Sequence, residues 1–219
     1  NKIKTKVRGL QSHGGSIKNI SIGQRGALNL TNINKSEIKR GAVLSTLNSL
    51  NLTKKIICHI TLVRSTNWII KSKQRLRFHL GTGEFFGRIT PCNFSRISKG
   101  VSDNAIIEFE TDVTVLMNDK ILIRSYSPME TIAGGIVINT HPIGNNSKMR
   151  LNGGKIPLDI KRRFYYFVIL NWRHPKSIIS WGSYLLLDIK TIKKWVKSND
   201  FQKTYNGLIY SKLNLKKTQ

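Results

Sequence analysis

The side chains that could take part in catalysis are few, and their spacing argues against an active site. The chain contains two cysteines and five histidines. Cys58 and His59 are adjacent, and adjacent residues of a strand point to opposite faces, so this thiol and this imidazole are not expected to meet. The histidines show no spacing typical of a metal site. We therefore expect no catalytic residue, no metal site and no enzymatic activity in this chain.

Nucleotide binding is not indicated by the sequence either. It contains no GxxxxGK[ST] loop and no glycine-rich turn between a strand and a helix, the arrangements that hold phosphates. Gly134 and Gly135 lie between apolar strand residues, where glycine indicates a bend or a close approach of two backbones. We expect no cofactor bound to this chain.

Positive charge is the strongest compositional feature. The chain has 37 Lys and Arg residues against 11 Asp and Glu residues, a formal net charge of +26. Residues 141–219 hold 16 basic and three acidic residues, a balance of +13. An AT-rich genome, which favours Lys, Ile and Asn, explains part of the charge but not the scarcity of acids in this last third. The charge predicts a polyanionic partner and salt-sensitive binding to nucleic acid.

The cellular compartment is suggested by the cysteines and by the hydropathy. Two cysteines make no disulfide framework, which is typical of a reducing compartment. No apolar run reaches the length of a membrane span, and the residues after Asn1 do not resemble a signal peptide. We expect a cytoplasmic protein that binds no membrane.

The first part of the sequence predicts a few short strands. Residues 3–10 and 26–30 favour strands, the glycines of His13–Ser16 favour a turn, and Ala42–Leu44 is predicted to form another strand. A barrel with so few strands would have open edges, which folded proteins avoid. Either strands are missing from residues 1–50, or another element covers the edge of this sheet.

Residues 54–140 predict a complete antiparallel β-barrel. Arg75–Leu80 alternates between polar and apolar residues, which indicates a strand with one buried face. Short strands separated by Gly, Asn and Ser turns, with no helical period, favour a barrel. The other predicted strands are residues 56–63, 84–91, 105–115, 120–126 and 132–138.

The composition changes at Thr140. Residues 141–158, rich in Gly, Asn and Pro, are predicted to form a linker. Asp159 and Asp188 are typical N-cap residues and predict two helices, and Gly207–Lys212 is predicted to form a closing strand. We expect residues 159–219 to form a basic helical domain whose element order is compatible with a winged helix. The predicted fold is mainly β with a C-terminal α(+β) part.

Three segments resemble elongation factor Tu-like GTPases, and within that superfamily the selenocysteine-specific translation elongation factor most closely. In residues 20–45, GQRGALNL precedes IKRGAVL, as at the end of the second domain of these factors. Residues 79–84, HLGTGE, and Arg88 resemble the family's H-x-G-T-x-E-x-x-A-R-V. Residues 119–139, DKILIRSYSPMETIAGGIVIN, resemble D-R-x-x-L-R-x-x-S-P-x-x-T-I-G-G-G-x-V-L. Ala133 departs from a usual glycine, and Ala42 from a common R-G-D.

The resemblance implies an aminoacyl pocket in the second domain, of which residues 1–50 would be the C-terminal part. Arg25 lies where elongation factor Tu has asparagine and the selenocysteine factor has arginine, and His13 matches the pocket histidine of the superfamily. A selenol is more acidic than a hydroxyl, so a guanidinium favours the anionic selenocysteine over serine. A solvated arginine and a turn histidine are the alternatives for these two residues.

The resemblance also implies a tRNA-binding surface on the third domain, residues 54–140. Arg75, Arg77 and His79 project from one face of a strand, and cations at alternate positions suit a row of phosphates. An ordinary exposed face is the alternative.

A second basic surface is predicted on the helix after Asp188. Its lysines share one face by helical spacing, opposite the apolar residues, which are expected to pack inward. The family's C-terminal winged helices hold a message hairpin, so this face is predicted to bind RNA, with a solvated lysine face as the alternative. The lysines are Lys190, Lys193, Lys194 and Lys197, and the apolar residues are Ile189, Ile192 and Val196.

The resemblance implies a monomer whose partners are selenocysteinyl-tRNA, the message hairpin and the ribosome. GTP and magnesium would bind in a GTPase domain absent from this chain. Two alternatives stay open. One is the barrel region of another translational GTPase, such as an initiation-factor gamma-like protein, and the other is a standalone RNA-binding or ribosome-associated protein.

Overall fold

The structure, a computed structural model, describes residues 3–47, 50–197 and 200–215. The chain divides into a first unit, Asn1–Ala42, and a second unit, Val43–Gln219. In the described ranges, no helix combines the length and the apolar character that crossing a membrane requires.

The first unit is built around a small antiparallel sheet. Its strands, in the order β2-β1-β3, are β1 Val7–Ser12, β2 Gly15–Ile17 and β3 Ala27–Leu30. None of the described residues of this unit is buried.

The predicted strand at Ala42–Leu44 is wrong. These residues are not in a strand, and Val43 and Leu44 are 57% and 52% exposed. A strand needs a neighbour that accepts its hydrogen bonds, and no described strand pairs with this segment. Local apolar character was therefore insufficient to form the strand.

The second unit begins with the predicted antiparallel barrel, which is confirmed. Within the described residues its strands close in the order β10-β11-β4-β9-β7-β6. Closure pairs both edges of every strand, which removes the exposed edges that an open sheet would have. A short ribbon of β5 and β8 lies beside it. The strands are β4 Leu52–Leu62, β5 Ile70–Lys71, β6 Gln74–Leu80, β7 Gly83–Pro91, β8 Arg96–Ile97, β9 Ser102–Thr114, β10 Lys120–Arg124 and β11 Thr131–Asn139.

Alternation along β6 places the apolar residues inside the barrel. Leu76 and Phe78 are 1% and 0% exposed, whereas the intervening cations reach the surface. Phe78 meets Phe109 of β9 edge to face, with ring centroids 5.6 Å apart. The period of two in the sequence thus predicted the core face correctly.

The two adjacent glycines of β11 have different surroundings. A Cβ atom on Gly135 would overlap the carbonyl oxygen of His59 in β4, whereas one on Gly134 would lie 3.9 Å from the oxygen of Ile121. The predicted close approach of two backbones is therefore confirmed at Gly135.

The prediction of a loop or linker over residues 141–158 is wrong for its central part. Asn146–Gly154 forms helix α1, which the Asn145 side chain caps by accepting a hydrogen bond from the Lys148 N–H at 2.9 Å. Asn104 of β9 donates hydrogen bonds to the carbonyl oxygens of Gly153 and Ile156 at 2.9 and 3.0 Å. Contacts with the barrel therefore outweigh the weak helix propensity of this Gly- and Asn-rich segment.

Helix α1 and the elements that follow it form the helical part, which we define as residues 146–215. The predicted helices after Asp159 and Asp188 are confirmed, and each aspartate accepts an N-capping hydrogen bond. Its three strands pair in the order β12-β14-β13. The elements after α1 are α2 Ile160–Leu170, β12 Lys176–Ser177, α3 Ile178–Leu185, α4 Ile189–Val196, β13 Phe201–Lys203, β14 Leu208–Ser211 and α5 Lys212–Leu215.

The helical part and the outside of the barrel share one apolar cluster. Ile57 and Ile138 of the barrel belong to the same buried cluster as Phe164 and Trp181 of the helices. Arg163 is 1% exposed, and its guanidinium donates hydrogen bonds to the oxygens of Pro157, Leu158 and Asn118. A buried cation is tolerated only when its donors are paired, so this contact fixes α2 against the barrel.

Candidate RNA-binding surfaces

His13 lies at the tip of the β1–β2 hairpin. Ser12 pairs with Gly15, so His13 and Gly14 form a two-residue loop, and both have positive φ angles of 50° and 80°. Tight hairpin loops of type I′ require positive φ at both positions, which histidine adopts more readily than most residues. The turn predicted at this position is therefore confirmed.

Arg25 is held beside the same turn. The Ser12 hydroxyl donates a hydrogen bond to the backbone oxygen of Arg25 at 2.8 Å, and Gln11 of β1 pairs with Ala27 of β3. His13 and Arg25 consequently line one cavity of ≈ 390 Å³. Arg25 is exposed, and no carboxylate among the described residues forms a salt bridge with it. The structure brings the two predicted pocket residues together, and their role stays a prediction.

The predicted row of cations on β6 has carboxylate partners. Arg75 makes two hydrogen bonds with Glu110 of β9, at 2.5 and 2.9 Å. Arg77 donates to Glu84 of β7, and the Nε2 atom of His79 lies 3.9 Å from the same carboxylate. The three side chains leave the strand on one side, as predicted, but they are not three unpaired cations.

The Arg75–Glu110 pair changes the ionisation of both groups. The hydrogen bond between them raises the pKa of the Arg75 guanidinium and lowers the pKa of the Glu110 carboxyl. The rings of Phe86 and Tyr126 lie 4.9 and 5.2 Å from the guanidinium carbon. An RNA phosphate would therefore compete with a carboxylate for Arg75. The sequence analysis missed these acidic partners, because strand pairing brings them from β7 and β9.

Helix α4 presents the predicted lysine face. All four lysines are exposed, and within the described ranges none of them forms a salt bridge. Ile192 is fully buried and Val196 packs against the apolar cluster, as predicted. Ile189 is 42% exposed, so the prediction that it packs inward is wrong. It is the first residue of α4 and lies at the surface beside Gly182 of α3. The lysines are Lys190, Lys193, Lys194 and Lys197.

Cys58 and His59 point to opposite sides of β4, as predicted. Cys58 is fully buried in the barrel core, and burial raises the pKa of its thiol. The Nδ1 atom of His59 lies 2.9 Å from Oδ1 of Asn104. In the described part of the chain, no group of three or more His, Cys, Asp or Glu residues is placed to hold a metal ion.

A closed antiparallel barrel in which one strand carries Arg75, Arg77 and His79 defines a β-barrel domain with charged residues on its outer face. Comparison with known families is more specific. Residues 55–143 match the family model described as "Selenocysteine-specific elongation factor, beta-barrel domain".

A curated relative supports the same resemblance. A selenocysteine-specific elongation factor from Desulfomicrobium baculatum is 29% identical over 141 residues, which cover 64% of this chain and 22% of that protein. The chain therefore aligns with about a fifth of the relative's length. The resemblance predicted from the motifs is confirmed by both matches.

Proposed function

We propose that this chain is the tRNA-binding portion of a selenocysteine-specific translation elongation factor. In this proposal it works in the cytoplasm and helps to deliver selenocysteinyl-tRNA to the ribosome. The match of residues 55–143 to the barrel domain of that family carries the proposal. The chain has no catalytic role of its own, and GTP with magnesium binds in a domain outside this sequence.

The cavity at the end of the β1–β2 hairpin is the proposed site for the aminoacyl group. His13 and Arg25 line it together, and Arg25 has no described carboxylate partner. An exposed guanidinium retains its donors for a ligand and can hydrogen-bond an anion such as a selenolate. A neutral serine hydroxyl gains less from the same contact. This difference in ligand charge is the proposed origin of specificity.

Replacing Arg25 with alanine tests this assignment. A hydrogen bond to a charged group is worth about 1.5–3 kcal/mol, so Arg25→Ala should reduce the preference for selenocysteinyl-tRNA over seryl-tRNA by about tenfold or more. The measurement is the dissociation constant of the 219-residue chain for each charged tRNA.

Arg8→Ala is the matched control, since Arg8 is an exposed arginine of the same sheet outside this cavity. Arg8→Ala should weaken the binding of both charged tRNAs by the same factor. If Arg25→Ala also weakened the binding of both charged tRNAs equally, Arg25 would be a general phosphate contact. The chain would then fit another translational GTPase or a standalone RNA-binding protein better.

We propose further that the helical part is a winged helix that binds an RNA hairpin through α4. Its elements from α2 onward include the order helix, strand, helix, helix, strand, strand, with the strands paired as β12-β14-β13. A short turn at Leu186–Asp188 joins α3 to α4, and in helix-turn-helix modules the second helix is the one that meets nucleic acid. The three exposed lysines of this helix and the exposed C-cap Lys197 supply the positive charge.

Changing Lys190, Lys193, Lys194 and Lys197 together to glutamine should weaken binding of an RNA hairpin. The slope of log affinity against log salt should flatten by about 0.7–0.9 for each phosphate that these lysines no longer neutralise. An equal charge change on the barrel, at the exposed residues Lys54, Lys71, Lys73 and Lys99, is the control. Equal effects of the two variants would mean that net charge alone drives binding and that α4 has no specific role.

A further inference from the structure

A second cavity lies within the second unit, where the barrel meets the helical part. This junction cavity has a volume of ≈ 470 Å³. It is lined by residues from the end of β11, from α1, from the end of α2 and the segment after it, and from α3. Binding sites for small molecules typically measure about 300–1,000 Å³, so the cavity can hold a ligand.

The charge around the junction cavity is positive. Lys148, Arg173 and Lys176 line it, and no acidic residue does so among the described residues. His141 also lines it, and the pKa of this imidazole is lowered by partial burial and by the charge of Lys176. The site therefore favours an anionic ligand.

Aromatic rings make up much of the remaining wall. Phe167, Trp181 and Tyr184 form edge-to-face pairs, with Tyr184 5.7 Å from Phe167 and 6.0 Å from Trp181. Trp172 is 40% exposed, and the guanidinium of Arg173 lies 5.0 Å from its ring centroid. An exposed indole beside an arginine is a surface on which nucleic-acid bases stack.

Trp181 also provides a hydrogen-bond donor without a partner. The side chain is 1% exposed and lines the cavity, and its Nε1–H has no acceptor among the described residues. Buried N–H groups are nearly always paired in folded proteins. The nitrogen is itself inaccessible to solvent, so this indole forms a packed part of the cavity wall and does not present its N–H to a ligand.

We propose that the junction cavity binds one nucleotide unit, an aromatic base linked to a phosphate. Lys148, Arg173 and Lys176 hold the phosphate, and Trp172 stacks on the base. The nucleotide is either free or an unpaired residue of an RNA. This site goes beyond the function proposed above, because it uses neither the hairpin cavity with Arg25 nor the lysines of α4.

The indole N–H signals of the full chain in ¹H–¹⁵N NMR spectra test the proposal. The four tryptophans are assigned with single Trp→Phe variants. Adenosine and uridine monophosphates, a single-stranded RNA trinucleotide, ribose 5-phosphate and inorganic phosphate are titrated separately. We expect saturable shifts of the Trp181 and Trp172 signals with a nucleotide ligand and no shift of Trp68, which lies elsewhere on the barrel.

Variants of the cavity cations keep the test valid if Trp181→Phe fails to fold. Arg173→Gln combined with Lys176→Gln should weaken nucleotide binding at least tenfold. The matched control is the double variant Lys99→Gln with Lys203→Gln, at exposed lysines outside the cavity. It should change the dissociation constant for the nucleotide by less than about twofold, because salt screens charges that lie far from the site. Trp172→Ala should weaken nucleotide binding about fivefold or more, the loss of one stacking contact.

The ligands distinguish the two sources of the nucleotide. Saturation by both monophosphates and the trinucleotide indicates a site for free nucleotides, and saturation by the trinucleotide alone indicates an unpaired residue of RNA. Both outcomes support the proposal. Equal shifts with inorganic phosphate or ribose 5-phosphate would overturn it in favour of a simple anion patch. Absence of any saturable shift would also overturn it. Neither result would affect the Arg25 experiment.

Discussion

The first unit leaves its apolar residues exposed or half-buried, whereas the barrel buries them in a core. In the described part of Asn1–Ala42 no residue is buried, and Val7 and Leu28 are 47% and 44% exposed. In the barrel, Ile56 and Phe78 are fully buried. Burial of apolar surface is the main favourable contribution to folding, so the barrel is stabilised by its own core and the small sheet contributes little.

The same contrast applies to the candidate binding residues. Arg25, in the thinly packed first unit, has no described carboxylate partner, whereas Arg75, on the barrel wall, is hydrogen-bonded twice to Glu110. On the barrel, the pairing of β6, β7 and β9 brings charged side chains of opposite sign into contact, whereas the described residues of the small sheet place no carboxylate against Arg25. Arg75 is therefore less available to RNA than the sequence alone indicates.

Truncating an apolar side chain should give the largest difference in stability between the two regions. Phe78→Ala should lower the free energy of unfolding by about 3–5 kcal/mol, because it leaves a cavity in a closed barrel. Leu28→Ala, at an exposed position of the first unit, should change it by less than about 0.5 kcal/mol. Chemical denaturation followed by far-ultraviolet circular dichroism, which reports the strands of both units, measures both. Comparable losses would show that the first unit also depends on a buried core.

Adding one methyl group to the backbone of β11 should have a smaller effect. Gly135→Ala forces a Cβ atom into the carbonyl oxygen of His59 and should cost about 1–3 kcal/mol, as overpacking does. Gly134→Ala is the adjacent control, since its Cβ atom would be in ordinary contact. Gly9→Ala in the first unit meets no atom within 4 Å and should be neutral. Thermal unfolding of the three variants tests this order, and equal midpoints for Gly134→Ala and Gly135→Ala would contradict it.

Removing the charge of Glu110, the partner of Arg75, should have the smallest effect. Glu110→Gln should strengthen tRNA binding modestly and steepen its salt dependence by about 0.7–0.9 if Arg75 then neutralises one phosphate. Asp112→Asn removes the same charge at another exposed residue of β9 and serves as the control. Unchanged binding by Glu110→Gln relative to this control would mean that Arg75 only joins two strands of the barrel.

The pH dependence of this effect has a definite sign. Arg75 lowers the pKa of Glu110, so the ion pair is complete above the ordinary carboxyl range near about pH 4 and is lost as the pH falls through the lowered value. The difference in tRNA binding between Glu110→Gln and the unchanged chain should therefore be present at neutral pH. It should disappear only in acid, where the carboxyl is protonated in the unchanged chain.

Local sequence patterns predicted the elements whose signals depend on nearby residues. The alternation of Arg75–Leu80 identified the buried face of β6, and Asp159 and Asp188 identified the starts of two helices. Segment 119–139 indicated the elongation-factor barrel. The alternation and the two aspartates report a backbone period or a capping hydrogen bond within a few residues. Segment 119–139, in contrast, was informative only through its resemblance to a family.

The tertiary structure alone decided the features that depend on residues far apart in the chain. Helix α1 forms in a Gly- and Asn-rich segment because Asn104 of the barrel holds its C-terminal end. Strand pairing brings Glu110 to Arg75, and the junction cavity assembles Lys148, Trp172 and Trp181 from separate elements. Sequence gives the type and local period of these residues. Barrel closure and helix packing decide which of these residues come into contact, and the free energies of both come from long-range contacts.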